Sequence, residues 1–442
     1  VNWNQLLSPQ RAGQKIIADA APSRSAFEQD YDRIIFSQPF RRLQDKTQVH
    51  PLPEHDFVHT RLTHSLEVSS VGRSLGKRVG EIILQRHPDL NKDFSLFDFG
   101  AVVAAASLAH DLGNPPFGHA GEDAISDFFL HHPQGMFFKE KVNEQEWRDL
   151  IKFEGNAQGF RILNKNQYGL KLTFATLGAF TKYPCPAFFP DRDVTKRSQK
   201  KFGFFQSEKE AFREVGKQLE LPSVADFVTS RHPLAFLVEA ADDICYSIID
   251  LEDGCNLGLV RYEDAKSLFE GVINNSKSKL GKLDQIASQQ ERIGYLRALA
   301  IGDLMDECSS LFIDSEQAIL DGTFDQALAD HCPSKNGLKE IIKISVEKIY
   351  RARQVVEIEA AGHEVLPGLL EEFTKAGFYL LNAVKSRKYQ NLQHLLPEDT
   401  RIAIQSQPTN SYNMLRCILD FVSGMTDRHA LALYRQIKGI SI

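Results

Sequence analysis

An all-α architecture is predicted by three features of this sequence. Apolar residues recur at spacings of three to four, period-two alternation is scarce, and there is no internal repeat or low-complexity tract. Val71, Leu75 and Val79, with Ile82 and Ile83, mark the first long helix, and His64 stands at its start. Residues 97–111 are apolar on nearly all sides, from Ala101 through Leu108, so this helix is expected at the centre of the molecule. Gly113-Asn114-Pro115-Pro116 ends it, which places His110 and Asp111 in its last turn. Residues 171–174 are the best of the weak strand candidates. Between residues 182 and 201 the chain becomes rich in Pro, Lys and Arg, predicting a long irregular segment that reads equally as functional or as a solvated insertion. Residues 234–251 form a second long apolar helix closed by Gly254, and residues 289–313, 337–361 and 367–386 read as further helices. A softer compositional break lies at 274–279. The expected organisation is a core over residues 1–270, with a C-terminal helical portion over 271–442 that completes the same unit and serves oligomerisation.

The chain has 442 residues, 42% hydrophobic and 25% charged, ample for a large core. A formal charge of -6 argues against a constitutively basic nucleic-acid coat protein, while leaving room for a local basic groove. The most apolar stretch, residues 101–109, falls far short of the roughly 20 residues that span a bilayer. Residues 1–5 lack a basic region leading into an apolar one, and the six cysteines show no CxxC spacing. The expected address is a reducing cytoplasm, with the thiols acting as small core residues.

The chemistry concentrates in residues 110–122. An imidazole and a carboxylate side by side at the end of a buried helix, His110 and Asp111, are costly to desolvate unless something pairs with them, and a divalent metal does so efficiently. His64 supplies another imidazole from a second helix. On a third, Asp242, Tyr246 and Asp250 fall at i, i+4 and i+8, one stripe of two acids and a phenol on an apolar helix. Singly, each such residue is more often a packed histidine or a capping carboxylate. Three helices offering them together form a mixed nitrogen and oxygen set suited to Mn, Mg, Fe, Co, Ni or Zn.

His64, His110-Asp111 and Asp242 resemble the H…HD…D signature of the HD-domain metal-dependent phosphohydrolases. With the stretches 40–49, 61–68, 110–122, 153–158, 181–184, 239–254 and 420–427, nearly the whole chain resembles the bacterial dGTPase-like deoxynucleoside triphosphate triphosphohydrolases. The resemblance implies an HD-domain helical core with a C-terminal helical extension. It implies one divalent metal per site (Mg, Mn or another first-row transition metal) held by His64, His110, Asp111 and Asp242. Asp242 is preferred to Asp243 because only Asp242, Tyr246 and Asp250 satisfy the family's D-x3-Y-x3-D pattern, which leaves Asp243 to a helix-surface contact. The implied reaction converts a dNTP, dGTP among them, and water into deoxynucleoside and inorganic triphosphate by attack at the α-phosphorus.

For the proton that must reach the departing 5′-oxygen, the residues implied are His119 and Glu122, which share a helix face at i and i+3 and can pair. The plain alternative for Glu122 is a capping carboxylate at its own helix N-terminus. By resemblance Gln48 and Asp250 contact the sugar 3′-hydroxyl, Tyr246 lies beneath the sugar and excludes a 2′-hydroxyl, and Arg61 and Lys182 meet triphosphate oxygens. The family also implies a homo-oligomer, tetramer or hexamer, with a dNTP or single-stranded DNA as effector; the basic segment 182–201 offers a place for it. Rival readings are a 5′-deoxynucleotidase that releases orthophosphate and a non-catalytic dNTP sensor.

Overall fold

The computed structural model describes residues 1–13, 24–49, 59–165 and 169–440. The helices that build and support the site are α1 (Arg61–Arg86), α2 (Leu96–Ala109), α3 (Gly118–His131), α4 (Gly155–Asn164), α5 (Phe174–Phe180), α6 (Pro233–Asn256), α7 (Gln289–Asp314), α8 (Lys335–Ile344), α9 (Arg353–Leu381), α10 (Ser411–Ser423) and α11 (Asp427–Lys438).

A capping box starts α1: Thr60 accepts from the Thr63 amide, and the Thr63 hydroxyl accepts from the Thr60 amide. Helix α2 is buried around most of its circumference, as its composition demands, and α1 lies directly against it. Gly72, Gly76 and Gly80 make that approach possible. A Cβ on Gly76 would lie 2.7 Å from the Phe99 carbonyl oxygen and 3.0 Å from Gly100 Cα, and one on Gly80 would lie 2.7 Å from the Phe99 ring. The two backbones therefore touch where any other residue would force them apart.

The apolar interior falls into two clusters. The larger gathers α1, α2, α5, α6 and α7 and includes Leu112. The second gathers α3, α9, α10 and α11 and includes Phe117. The turn between α2 and α3 thus begins in one cluster and ends in the other. Phe117 takes a left-handed φ of 65°, unusual for a bulky residue, and is held there from the C-terminal region. Its amide donates to Asp427 Oδ1 at 3.1 Å, while Asp427 Oδ2 accepts from the Thr47 amide at 3.0 Å. A Cβ on Gly362 of α9 would lie 2.9 Å from Phe117 Cβ, so α9 also closes on this turn.

Four expectations are corrected. Residues 171–174 are not a strand: Thr173 makes one isolated bridge to Arg11 and caps α5. The two-stranded sheet among the described residues pairs Ser223–Ala225 with Val228–Thr229. Helix α6 does not stop at Gly254 but runs to Asn256; Gly254 serves close packing, since a Cβ there would lie 2.4 Å from Ile349 Cδ1. Instead of helices over 337–361 and 367–386, α8 ends in a π-helical turn, Ser345–Ile349, and α9 then runs unbroken through Pro367. Burial of Val365, Leu366, Leu369, Leu370 and Phe373 outweighs the roughly 3 kcal/mol that an internal proline costs.

The glycine contact is testable. Gly76→Ala is expected to destabilise the protein by about 1–3 kcal/mol through overpacking. Gly302→Ala in α7, where a Cβ meets nothing within 4 Å, is expected to stabilise it by about 0.5–1 kcal/mol. Urea unfolding midpoints of the two variants would shift in opposite directions.

Candidate active site

The α1–α2 contact brings His64 and His110 together with ring centroids 5.3 Å apart. Helix α2 ends at Ala109, so His110 is its C-cap and Asp111 lies in the following turn, just past the helix rather than in its last turn. One potential ligand atom from each of His64, His110 and Asp111 lies within 4.8 Å of the others, a group that can hold a metal ion. Asp242 closes the set from α6, with Oδ1 3.4 Å from His64 Nε2 and 3.5 Å from His110 Nε2.

The donor chemistry fits a metal. His110 Nδ1 lies 2.7 Å from the Ser107 carbonyl oxygen and donates to it, which fixes the tautomer and leaves Nε2 with a free lone pair. That Nε2 is buried without a hydrogen-bond partner among the described residues, an arrangement costly without a ligand. Desolvation alone would raise the pKa of Asp242, but His110, His64 and Lys182 outweigh it and hold the carboxyl far below its usual range. Asp111 is likewise held low against its desolvation, by His110, Arg61 and His64.

Arg61, on the first turn of α1, donates to Asp111 Oδ2 at 2.9 Å. It also lies against Gly118, where a Cβ would stand 2.8 Å from Arg61 Nη2. The guanidinium therefore spans from the imidazole–carboxylate cluster to the start of α3, where the second pair sits. There His119 Nδ1 is 2.7 Å from Glu122 Oε2. Glu122 does not cap its own helix: its other oxygen accepts from the Gly155 amide at 2.6 Å, and Lys201 Nζ lies 3.8 Å from Oε2. The bond to Glu122 raises the His119 pKa, and the His119 side chain is 80% exposed, so Nε2 is left accessible.

The stripe on α6 forms as the spacing requires, and a residue absent from the sequence reading joins it. Tyr350, just past the π-helical turn, donates its hydroxyl to Asp250 Oδ2 at 2.6 Å and stacks on Tyr246 at 5.5 Å. Burial pushes the Asp250 pKa up to about 7. Lys182 Nζ stands 3.4 Å from Glu239 and 3.9 Å from Asp242. Asp243, half-buried, lies 3.9 Å from Arg197 beside the same group. Gln48 makes no hydrogen bond to these residues, and its buried Oε1 has no partner among the described residues.

Sequence reading also missed His59, which ties α1 to α6 by bonding Asp253 at 2.7 Å and Glu67 at 3.0 Å. Burial would lower its pKa, but these two bonds outweigh burial and raise it from 6.5 to about 10. A folded pKa above the unfolded one stabilises fully below pH 6.5, and that stabilisation is lost as pH rises through about 10. The stability difference between wild type and His59→Gln, from urea unfolding, is expected to be largest near pH 6.5 and to shrink steadily toward pH 10.

Comparison with known proteins agrees with this geometry. Residues 61–164 match the HD domain, and residues 334–436 match the phosphohydrolase-associated domain. A deoxyguanosinetriphosphate triphosphohydrolase-like protein of Synechocystis sp. is 42% identical, with 100% of both chains covered. One of Pseudomonas aeruginosa is 38% identical over 100% of this chain and 99% of its own. A deoxyguanosinetriphosphate triphosphohydrolase of Salmonella paratyphi A is 32% identical over 94% of each. With paired imidazoles and carboxylates at the matched positions and similarity along its whole length, the chain belongs to the deoxyguanosinetriphosphate triphosphohydrolase-like family and is a hydrolase of the HD-domain class.

Proposed function

We propose that the protein hydrolyses deoxynucleoside triphosphates, dGTP among them, to deoxynucleoside and inorganic triphosphate, with one divalent cation held by His64, His110, Asp111 and Asp242. The observation that carries this reading is the unpartnered His110 Nε2 facing Asp242, one turn of chain away from a second imidazole–carboxylate pair. The chemistry a divalent cation supplies at such a ligand set is Lewis-acid neutralisation of phosphoryl charge. Mg, Mn and other first-row ions all suit it.

The rest is done by the chain's own residues. Water adds to the α-phosphorus, the bond from that phosphorus to the 5′-oxygen breaks, and the 5′-oxygen takes up a proton. His119 carries that proton at Nε2, because Glu122 holds Nδ1 and so fixes ring orientation and tautomer. Arg61 and Lys182 face the phosphate oxygens as charge-assisted donors, already aimed by Asp111 and Glu239. Asp250 accepts the one proton of the sugar 3′-hydroxyl and the Gln48 amide N–H donates to the same oxygen, while the Tyr246 ring lies where a 2′-hydroxyl would project. Tyr350 occupies one acceptor position on Asp250, leaving the other carboxylate oxygen for the sugar.

Phosphorus-31 NMR of each dNTP incubated with protein and Mn²⁺ or Mg²⁺ is expected to show tripolyphosphate as the phosphorus product; orthophosphate would indicate the nucleotidase reading, and binding without turnover the sensor. His119→Ala is expected to lower kcat by about 10²–10⁴-fold, the usual size of a general acid–base contribution, with dNTP binding largely kept. His110→Ala is expected to abolish stoichiometric divalent metal, read by elemental analysis after dialysis, together with the metal-induced rise in Tm.

A further inference from the structure

The basic irregular segment 182–201 leaves the site at Lys182 and returns to it at Arg197. Both cations meet one oxygen of Glu239: Oε1 lies 2.6 Å from Arg197 Nε and 3.4 Å from Lys182 Nζ. The other oxygen accepts from Arg231 Nη1 at 2.6 Å. Glu239 is fully buried on α6, one turn before Asp242. The Lys182 and Arg197 side chains keep 18% and 21% exposure, so an open edge remains on each. Asp242 and Asp243 are open beside them, at 29% and 26%.

Two cations converging on one point in a partly buried site repel. A carboxylate between them cancels that repulsion and sets their spacing. The bond from Arg197 uses Nε alone, so its Nη groups keep donors to spare, and an ammonium has three donors of which the carboxylate needs one. Side by side, a planar fork and a point charge suit a chain of phosphate oxygens. The Lys- and Arg-rich loop is thus tied to one buried acid at Lys182 and again at Arg197.

We propose that Arg197 is a second phosphate-binding cation beside Lys182, and that Glu239 is the positioning residue that holds the two together facing the triphosphate. The inference rests on the triphosphate substrate proposed above. It is tested by steady-state kinetics and by calorimetric titration of inorganic tripolyphosphate into wild type, Arg197→Ala, Glu239→Gln and the double variant. Arg197→Ala is expected to raise KM for dNTP and Kd for tripolyphosphate about tenfold, the loss of one charge-assisted bond, with a smaller effect on kcat. Glu239→Gln should move both constants the same way, and the double variant should bind no worse than Glu239→Gln alone, because the residues act as one unit.

Unchanged KM and Kd in Arg197→Ala, or losses that simply add in the double variant, would overturn the proposal. If circular dichroism shows Glu239→Gln unfolded, Glu239→Gln/Arg231→Met, which removes a buried cation together with the charge, takes its place. A wild type that binds tripolyphosphate yet releases none from any dNTP would sink the proposed reaction, while the titrations would still decide the roles of Arg197 and Glu239.

Discussion

The close contact of α1 and α2 is the constraint on which the rest of the molecule depends. Three glycines on one face of α1 bring its backbone against α2, Gly76 and Gly80 at Phe99 and Gly100 and Gly72 at Val103 and Ser107. That contact sets the distance between a histidine on the first turn of one helix and a histidine at the end of the other. A wider spacing would move His64 away from His110, whose rings now stand 5.3 Å apart, and ligand distances near 2 Å tolerate little error. The stabilisation of the core and the geometry of the site are one and the same packing problem.

The turn from α2 to α3 links two apolar clusters, and the chemistry sits along that seam. His110 and Asp111 stand where the first cluster ends, His119 and Glu122 where the second begins, with Arg61 between them. The seam is clamped from the far end of the chain. Asp427 holds the Thr47 and Phe117 amides, each next to or near a site residue, and so imposes a left-handed φ on Phe117 that this residue does not favour. The C-terminal helices are thus part of the site's scaffold, although none of the imidazole–carboxylate residues comes from them.

Electrostatics follow from this burial. Four carboxylates, Asp111, Glu122, Glu239 and Asp242, are held below their usual range against the desolvation that would raise them. In each case histidine, arginine or lysine neighbours outweigh desolvation, so these four acids stay charged at neutral pH. In Asp250 desolvation prevails although a phenol donates to it, and its pKa goes the other way. One helix, α6, therefore carries acids with opposite tendencies, even side by side: Asp242 is held low while burial pushes Asp243 up to about 7.

The sequence by itself determined the helical class, the central place of α2, and the local pairings whose partners lie within a turn or two: His110 beside Asp111, His119 with Glu122, and the stripe of Asp242, Tyr246 and Asp250. Helical periodicity is a local property, so spacing reveals it. Only the tertiary structure decided what Glu239, Arg197, Tyr350, His59 and Asp427 do, because their partners lie 8 to 380 residues away, and an acid on an apolar helix looks the same whether it caps, pairs or positions. The same holds for the helix ends that were misread. Pro367 and Gly254 carry strong local stop signals, and the burial of α9 and the approach of Ile349 override them, since a buried face contributes more than one residue's backbone preference costs.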